Sequence, residues 1–152
     1  MITRIYADTS AIGGYFDEEF QQVTKRLFDE FLLGNKILVL SDLTLKELEL
    51  APQNVREVIH IIPEEQIEYI FFDEEVEYLS SKYIEEKAVS EKYLLDAQHI
   101  ALATINHVDV LISWNFKHIV NLRRIQLYNS INLKYGYSLL EIRSPREVIN
   151  EE

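Results

Sequence analysis

The sequence predicts a three-layer α/β/α domain with a central parallel sheet. Short runs of β-branched and aromatic residues alternate along the chain with longer segments whose apolar residues recur every three or four positions. Parallel strands need a helical crossover between them, and this alternation supplies one after each strand. With 152 residues, 47% of them hydrophobic, and no repeat or linker, residues 1–152 are expected to form one domain.

The elements of the first half are a strand over 2–7, a turn, a helix over 20–33, a strand over 36–40 and a helix over 43–50. The first strand, ITRIYA, ends at Asp8, where polar residues take over. The first helix follows from apolar residues at intervals of three and four, and Gly34 closes it. Ser41 can cap the helix that carries Glu47.

After this helix, the sequence predicts a helix over 52–62, a segment over 67–72 that fits either a strand or a helix, and a charged helix over 73–90. A helix over 93–107 and a strand over 108–113 follow. The last predicted elements are a mostly helical region over 116–135, an extended segment over 139–143 and a terminal turn or helix from Pro145. Asp73 is suited to cap the charged helix. Asp96 lies near the start of the next helix, and Asn115 lies just past the strand that follows it.

Composition excludes several classes of chemistry. The chain has no cysteine, which rules out a disulfide scaffold, a thiol nucleophile and a thiolate zinc site. The four histidines are scattered and argue against an all-histidine metal site, so metal binding through oxygen ligands remains open. The amino terminus lacks the apolar core of a signal peptide and no apolar run is long enough to span a bilayer, so we expect a cytoplasmic protein that does not engage a membrane.

The net charge of −11 is unevenly distributed. Residues 64–86 hold nine acidic side chains and one basic one, whereas residues 112–146 hold six basic side chains and one acidic one. A uniformly acidic surface would repel nucleic acid, but this distribution allows a local cationic face. Lys117, Arg123 and Arg124 are the candidates there for contacting RNA phosphates, although such residues commonly form only a solvated face.

Four oxygen-bearing side chains are expected to meet at the carboxyl edge of the predicted sheet. Asp8 and Asn115 directly follow strands, while Glu47 and Asp96 lie on helices adjoining that edge. Clustered carboxylates stay ionised at low cost only beside a cation, and Mg²⁺ or Mn²⁺ suits oxygen donors and phosphate substrates. Asp8, Glu47, Asp96 and Asn115 are therefore candidate metal ligands for phosphodiester hydrolysis.

Five segments in this order carry a family resemblance, namely YADTSAI, LTLKELEL, LLDAQHIALAT, VLISWNFKHI and SPREVI. Together they resemble the PIN-domain ribonucleases, and more narrowly the VapC-like toxins of toxin–antitoxin pairs, over residues 3–149. The resemblance implies a PIN-like fold and a Mg²⁺- or Mn²⁺-dependent endoribonuclease that cleaves single-stranded or loop RNA. It also implies a homodimer and a small antitoxin protein that inserts a segment into the active site.

By position, Asp8, Glu47 and Asp96 match the first three acidic residues of that family, and Ser10 matches its hydroxyl or amide residue. Asn115 is a departure, because the family commonly has a fourth Asp there. An amide can coordinate through oxygen but carries no charge. Whether one or two metal ions bind, and how active the site is, depend on this position.

Each candidate also has a purely structural interpretation. Asp8 and Asp96 can cap the turn or helix beside them, Glu47 can be a solvated helix residue, and Asn115 can cap residues 116–120. Ser10 is expected to bond within its turn while orienting Asp8. His99, one turn after Asp96, is expected to be packed or to face solvent rather than to border the substrate.

The aromatic side chains can stack on RNA bases, and Trp114 is the nearest of them to the predicted site. The main alternative function is a catalytically weakened PIN-like module that binds protein or RNA without cleaving it. A structure-specific DNA nuclease would need added loops for which 152 residues leave little room. A phosphate-binding glycine loop is excluded by the lack of any such motif among four glycines.

Overall fold

A computed structural model describes residues 2–150. Five strands form one sheet in the order β3-β2-β1-β4-β5, and every pair of neighbours is parallel. Helices cover both faces, so the predicted three-layer α/β/α architecture is confirmed. The carboxyl ends of all five strands lie at one edge of the sheet, as parallel pairing requires.

The strands are β1 (Thr3–Ala7), β2 (Lys36–Ser41), β3 (Ile67–Ile70), β4 (Val110–Ile112) and β5 (Ile142–Arg143). The α-helices are α1 (Thr9–Gly13), α2 (Gln21–Leu32), α3 (Asp42–Leu48), α4 (Gln53–Glu57), α5 (Glu74–Glu85), α6 (Leu94–Ile105), α7 (Leu122–Lys134) and α8 (Pro145–Val148). Short 3₁₀ turns lie at Gly14–Phe16, Val58–Ile61, Glu64–Gln66 and Glu91–Tyr93.

Capping side chains set several helix starts as predicted. Ser41 accepts the Thr44 N–H at the start of α3, and Asp73 accepts the Val76 N–H at the start of α5. The ambiguous segment over 67–72 is the edge strand β3, because it pairs in register with β2.

Several expectations about helices and strands were wrong in extent. The charged helix expected over 73–90 ends at Glu85, and the extended segment expected over 139–143 is a strand only at Ile142–Arg143. The turn expected after Asp8 contains the short helix α1. The helix expected over 52–62 is α-helical only to Glu57, and a 3₁₀ turn follows it over Val58–Ile61. The helical region expected from 116 begins only at Leu122, because Asn121 caps it from an extended conformation. Apolar periodicity extends past such capping points and cannot locate them.

The core consists of two clusters of buried side chains, one on each face of the sheet. Along β1, Ile5 and Ala7 face the layer of α1 and α2, whereas Tyr6 faces the layer of α5, α6 and α7. The strands β2 and β4 alternate in the same way, as the two-residue period of a strand demands. Within residues 2–150, no helix has the length and apolar character needed to cross a membrane.

A close approach between the 3₁₀ turn that follows α1 and the residues after β4 requires glycine at position 14. A Cβ built on Gly14 would lie 2.5 Å from Nε1 of Trp114 and 2.7 Å from Oγ1 of Thr24, while a Cβ on Gly13 would meet nothing within 4 Å. The Trp114 ring cannot retreat easily, because it is buried and stacked on Phe20 at 4.1 Å. Gly14 thus fixes how closely the chain after β1 packs on the chain after β4.

Gly14→Ala is expected to destabilise the fold by about 1–3 kcal/mol through overpacking. Gly13→Ala is the matched control, and we expect it to be neutral or to stabilise by up to about 1 kcal/mol, since its backbone is already helical. Urea unfolding of both variants measures the difference. Equal effects of the two substitutions would contradict this packing argument.

Candidate active site at the carboxyl edge

Asp8 is the centre of a hydrogen-bond network at the carboxyl edge of the sheet. It directly follows β1 and is only 4% exposed. Its Oδ1 accepts the Ala11 N–H at 2.9 Å and the Ser10 hydroxyl at 2.8 Å, and its Oδ2 accepts the Ser113 hydroxyl at 2.6 Å. A buried carboxylate is costly unless donors satisfy it, so these three bonds fix its orientation. The capping interpretation and the site interpretation of Asp8 are compatible.

Two serines join the ends of β1 and β4. Ser10 Oγ accepts the Trp114 N–H at 3.0 Å, and Ser113 Oγ accepts the Asn115 N–H at 2.9 Å. Because each hydroxyl also donates to Asp8, the ends of the two strands are held to one carboxylate. Ser10 therefore has the bonding predicted for it. Ser113 was not anticipated, since a serine at a strand end has no distinctive spacing.

Glu47 is held by donors from two other elements. Its Oε1 accepts the Thr9 hydroxyl at 2.8 Å and His99 Nε2 at 2.6 Å. The other ring nitrogen of His99, Nδ1, is hydrogen-bonded to the Tyr6 hydroxyl at 2.5 Å. His99 is buried as expected, but it also lies within the site, directly against a candidate carboxylate. Glu47 is thus part of a network and not a solvated helix residue.

Asp96 and Asn115 face each other at the start of α6. The Asn115 amide nitrogen lies 3.4 Å from Asp96 Oδ2, a long hydrogen bond. The Asn115 amide oxygen accepts the backbone N–H groups of Lys117 at 3.2 Å and His118 at 3.0 Å. Asn115 therefore caps the turn after β4 through its oxygen and presents a donor to the site. Its expected coordination of a metal through oxygen stays a prediction, and the oxygen already has two partners.

The three carboxylates differ in electrostatic environment. Burial, together with the negative charges of Asp8 and Glu47, raises the pKa of Asp96 from 3.8 to about 6, against the opposing effect of His99. Burial likewise raises the pKa of Asp8 in spite of its donors. Burial also opposes ionisation of Glu47, but the hydrogen bond and charge of His99 outweigh it and lower the Glu47 pKa overall. Asp8 and Asp96 are thus carboxylates whose negative charge the surrounding groups do not fully compensate.

The oxygen donors of these residues are of the type that a hard divalent cation prefers, but their present positions do not form a complete binding site. Across residues 2–150, no three acidic or histidine side chains are close enough together to hold one ion. Glu47 is engaged by His99, and Asp96 is engaged by Asn115. Yet Asp8, Glu47 and Asp96 offer only oxygen donors, and their mutual repulsion is what a cation relieves. A bound ion would have to compete with these internal hydrogen bonds.

The predicted RNA-contact residues lie in different environments. Lys117 is exposed beside Asn115, and Arg123 is exposed on the first turn of α7. Arg124 is half-buried, and its guanidinium donates to the Ala88 carbonyl oxygen at 2.7 Å. That these three side chains contact phosphates stays a prediction, which rests on their positions next to the candidate site.

Trp114 is not available to stack on an RNA base. It is only 7% exposed, its ring is stacked on Phe20, and its Nε1 donates to the Thr24 hydroxyl at 3.1 Å. Trp114 instead fills the core between the site and α2. Phe116, two residues on, is 49% exposed and is the accessible ring beside Asn115.

An open apolar cavity of about 510 Å³ adjoins Glu47. It lies between α3, the end of β3 and the start of α6, and Leu50 and Leu95 on its rim are 91% and 50% exposed. The residues that line it are Asp42, Leu43, Lys46, Glu47, Leu50, Phe72, Leu95 and Gln98. Apolar surface of this kind is typical of places where a partner binds.

Three solved structures share this fold at low sequence identity. VapC20 from Mycobacterium tuberculosis, a toxin that cleaves the sarcin–ricin loop, has a TM-score of 0.56 and 14% identity over 75% of this chain and 92% of its own. FitAcB from Neisseria gonorrhoeae has a TM-score of 0.57 and 14% identity over 93% of this chain and 97% of its own. VapBC2 from Rickettsia felis, bound to promoter DNA, has a TM-score of 0.55 and 16% identity over 93% of this chain and 98% of its own.

The predicted likeness to VapC-like PIN-domain proteins is therefore confirmed for the fold. Sequence identities this low support a shared fold and nothing more. A tyrosyl-tRNA synthetase from Aeropyrum pernix also matches, with a TM-score of 0.53 and 9% identity over 94% of this chain and 53% of its own. No protein-family model and no curated protein matches the sequence. The function must accordingly be argued from the site.

Asp96→Asn is expected to stabilise the metal-free fold at neutral pH. Because the pKa of Asp96 is raised to about 6, the folded state binds its proton more tightly than the unfolded chain, and stability falls as pH rises from about 4 to about 6. Asparagine has no charge to bury, so we expect the Tm of Asp96→Asn in EDTA at about pH 7.5 to be roughly 2–4 °C above that of the native protein. This range takes into account that the Asp96 side chain is partly exposed to solvent. Calorimetry across this pH range measures the gain, and a gain that persists at about pH 4 would contradict the assignment.

Proposed function

We propose that this protein is a Mg²⁺- or Mn²⁺-dependent endoribonuclease that cleaves single-stranded or loop RNA, and that it acts as the toxin of a toxin–antitoxin pair. The observation that carries the proposal is that Asp8, Glu47 and Asp96, from three separate elements, lie at one edge of a VapC-like fold, close enough for the charges of Asp8 and Glu47 to act on Asp96. Buried, mutually repelling carboxylates are costly to a fold, which favours a functional reason for keeping them.

Asp8, Glu47 and Asp96 are the residues that would hold the ion. When bound, the ion would supply activation of a water nucleophile and neutralisation of charge on the phosphate. The protein's own part is positional, since Ser10 and Ser113 orient Asp8 before substrate arrives. Asn115 offers its amide N–H groups beside Asp96, where an aspartate would add a further charge.

Lys117 and Arg123 are proposed to contact RNA phosphates next to this edge, and Arg124 to contribute charge from its anchored position. The likeness to VapC20, which cleaves an RNA loop, supports RNA as the substrate class for this chain. The alternative is a PIN-like module that binds protein or RNA without cleavage. Asn115 favours that alternative, because the site has one negative charge fewer for a metal.

We also propose a small antitoxin protein as partner, and a homodimer as the assembled state. The likeness to FitAcB and VapBC2, which are toxin–antitoxin complexes, supports the antitoxin. The apolar cavity beside Glu47 supports it further, because an inserted apolar segment there would cover Leu50 and Leu95 and reach the edge of the site.

Metal-dependent RNA cleavage is the direct test of the activity. We expect cleavage of a mixed single-stranded RNA pool in Mg²⁺ or Mn²⁺ to fall by roughly 100-fold or more in Asp8→Asn, Glu47→Gln and Asp96→Asn. Each substitution replaces a charged carboxylate ligand of the proposed ion with a neutral amide. Glu49→Gln is the matched control, since Glu49 is exposed two residues from Glu47. It should cleave like the native protein.

A folded native protein that cleaves nothing in either metal would contradict the nuclease proposal and favour the binding module. Asn115→Asp would then show whether the missing charge is the reason. Thermal unfolding with and without Mn²⁺ gives a second readout independent of turnover, and we expect Mn²⁺ to raise the Tm of the native protein but not that of Asp8→Asn.

The homodimer is tested by sedimentation velocity on the purified chain. We expect a species of twice the 17.9 kDa chain mass, because the described surface exposes several large apolar side chains that a partner copy would cover. A single species of the chain mass at micromolar concentration would contradict the homodimer, leaving the activity untouched.

A further inference from the structure

A second cavity, of about 400 Å³, lies where the end of α5 meets the starts of α6 and α7. Ile84 and Val89 form its apolar wall, and the residues that line it in full are Ile84, Lys87, Val89, Ser90, Tyr93 and Arg124. A hydroxyl, an aromatic ring and two cationic side chains therefore surround one opening. That composition suits a nucleotide, whose phosphate, sugar and base need different partners.

The cations that line this cavity, and those that act on the adjoining His118 ring, are not paired with carboxylates in the part of the chain that the structure describes. Lys87, Lys92, Lys117 and Arg124 have no carboxylate oxygen within 4 Å among residues 2–150, although the protein as a whole is strongly acidic. By contrast, Lys82 and Lys134 nearby are paired with Glu85 and Glu86. The unpaired charges thus remain available for an anionic ligand.

The wall of this cavity is linked to the candidate active site through a short series of contacts. Tyr93 stacks on His118 with ring centroids 3.6 Å apart, and the His118 backbone N–H is bonded to Asn115, which faces Asp96. Burial, with the charges of Lys117, Arg124 and Lys92, lowers the pKa of His118, so these three cations all act on this ring. A nucleotide bound against Tyr93 would therefore lie two side-chain contacts away from Asn115 and Asp96.

Lys87 occupies a backbone position that favours glycine. Its φ is +63°, and the Ala88 N–H donates to the Tyr83 carbonyl at 2.9 Å, which is the usual left-handed ending of a helix. A lysine there is less favourable than glycine, since a side chain disfavours positive φ. The strained position places this lysine on the wall of the cavity.

We propose that this cavity is a substrate subsite that binds a nucleotide of the RNA next to the cleaved bond, with Lys87 and Arg124 on its phosphate and Tyr93 against its base or sugar. The proposal rests on the ribonuclease function above. It adds Lys87, Lys92 and Tyr93 to the proposed RNA-binding surface, from a stretch that precedes α6, the helix that carries Asp96.

Lys87→Gly separates a binding role from a structural one. The substitution should leave Tm unchanged or raise it, since glycine relieves the backbone, yet it should weaken RNA binding about 3- to 10-fold at low salt by removing a phosphate contact. The slope of log affinity against log salt should fall by about 0.7, as expected for one phosphate on a single strand. Fluorescence anisotropy of a labelled 12-nucleotide single-stranded RNA in EDTA measures both, and Lys87→Arg should restore affinity.

Two variants provide matched controls. His107→Gly makes the same backbone change at φ +54°, at the opposite end of the sheet beside Arg4, and should not alter RNA binding. Lys25→Gln removes an exposed charge from α2, in the other helical layer, and should alter affinity by less than about 2-fold. These controls separate the effect of the subsite from relief of backbone strain and from net charge.

Three results would overturn the subsite. One is Lys87→Gly binding like the native protein, another is Lys25→Gln losing as much affinity as Lys87→Gly, and the third is a native protein that binds no RNA in EDTA. RNA binding that depends on Lys87, without any cleavage in Mg²⁺ or Mn²⁺, would support the subsite and reject the nuclease. The two proposals can therefore fail separately.

Discussion

The burial of one carboxylate, that of Asp8, determines how the carboxyl edge of the sheet is arranged. At 4% exposure it depends on donors from within the protein, and these come from α1 and from the end of β4. Satisfying Asp8 therefore requires β1 and β4 to be neighbours in correct register. The position of Asn115, and through it the approach to Asp96, follows from the same bonds. Fold and candidate site are thus coupled through a single side chain.

Charge is separated across the molecule in a way that the net value hides. The carboxylates of the site are few and held by internal donors, whereas the acidic surplus lies largely on exposed positions of α5 and its flanks. The unpaired cations Lys87 and Arg124 line one cavity, and Lys92 and Lys117 act on His118, which stacks on Tyr93 in the wall of that cavity. The acidic surface would repel a nucleic acid and the cationic face would attract it, so that a nucleic acid would approach the protein from the cationic face.

Features encoded by short stretches of sequence could be predicted, while those that depend on distant contacts could not. Asp8 at a strand end, Ser41 before α3 and Asp73 before α5 follow local rules and are confirmed as caps. The pairing of His99 with Glu47 joins residues 52 positions apart, and that of Ser113 with Asp8 joins residues 105 apart, so no local pattern marks either bond. Burial of Trp114 likewise depends on α2, which lies far from it in the chain.

Mn²⁺-induced broadening of backbone amide signals in the ¹⁵N-labelled protein tests the central claim most directly, because it locates the ion without requiring activity. If Asp8, Glu47 and Asp96 hold the ion, the signals around Ala11, Glu47, Asp96 and Ser113 should be lost selectively at low Mn²⁺, while those of α5 are retained. Broadening confined to α5, whose exposed acidic face is the competing place for a cation, would contradict this assignment, as would the absence of any selective broadening.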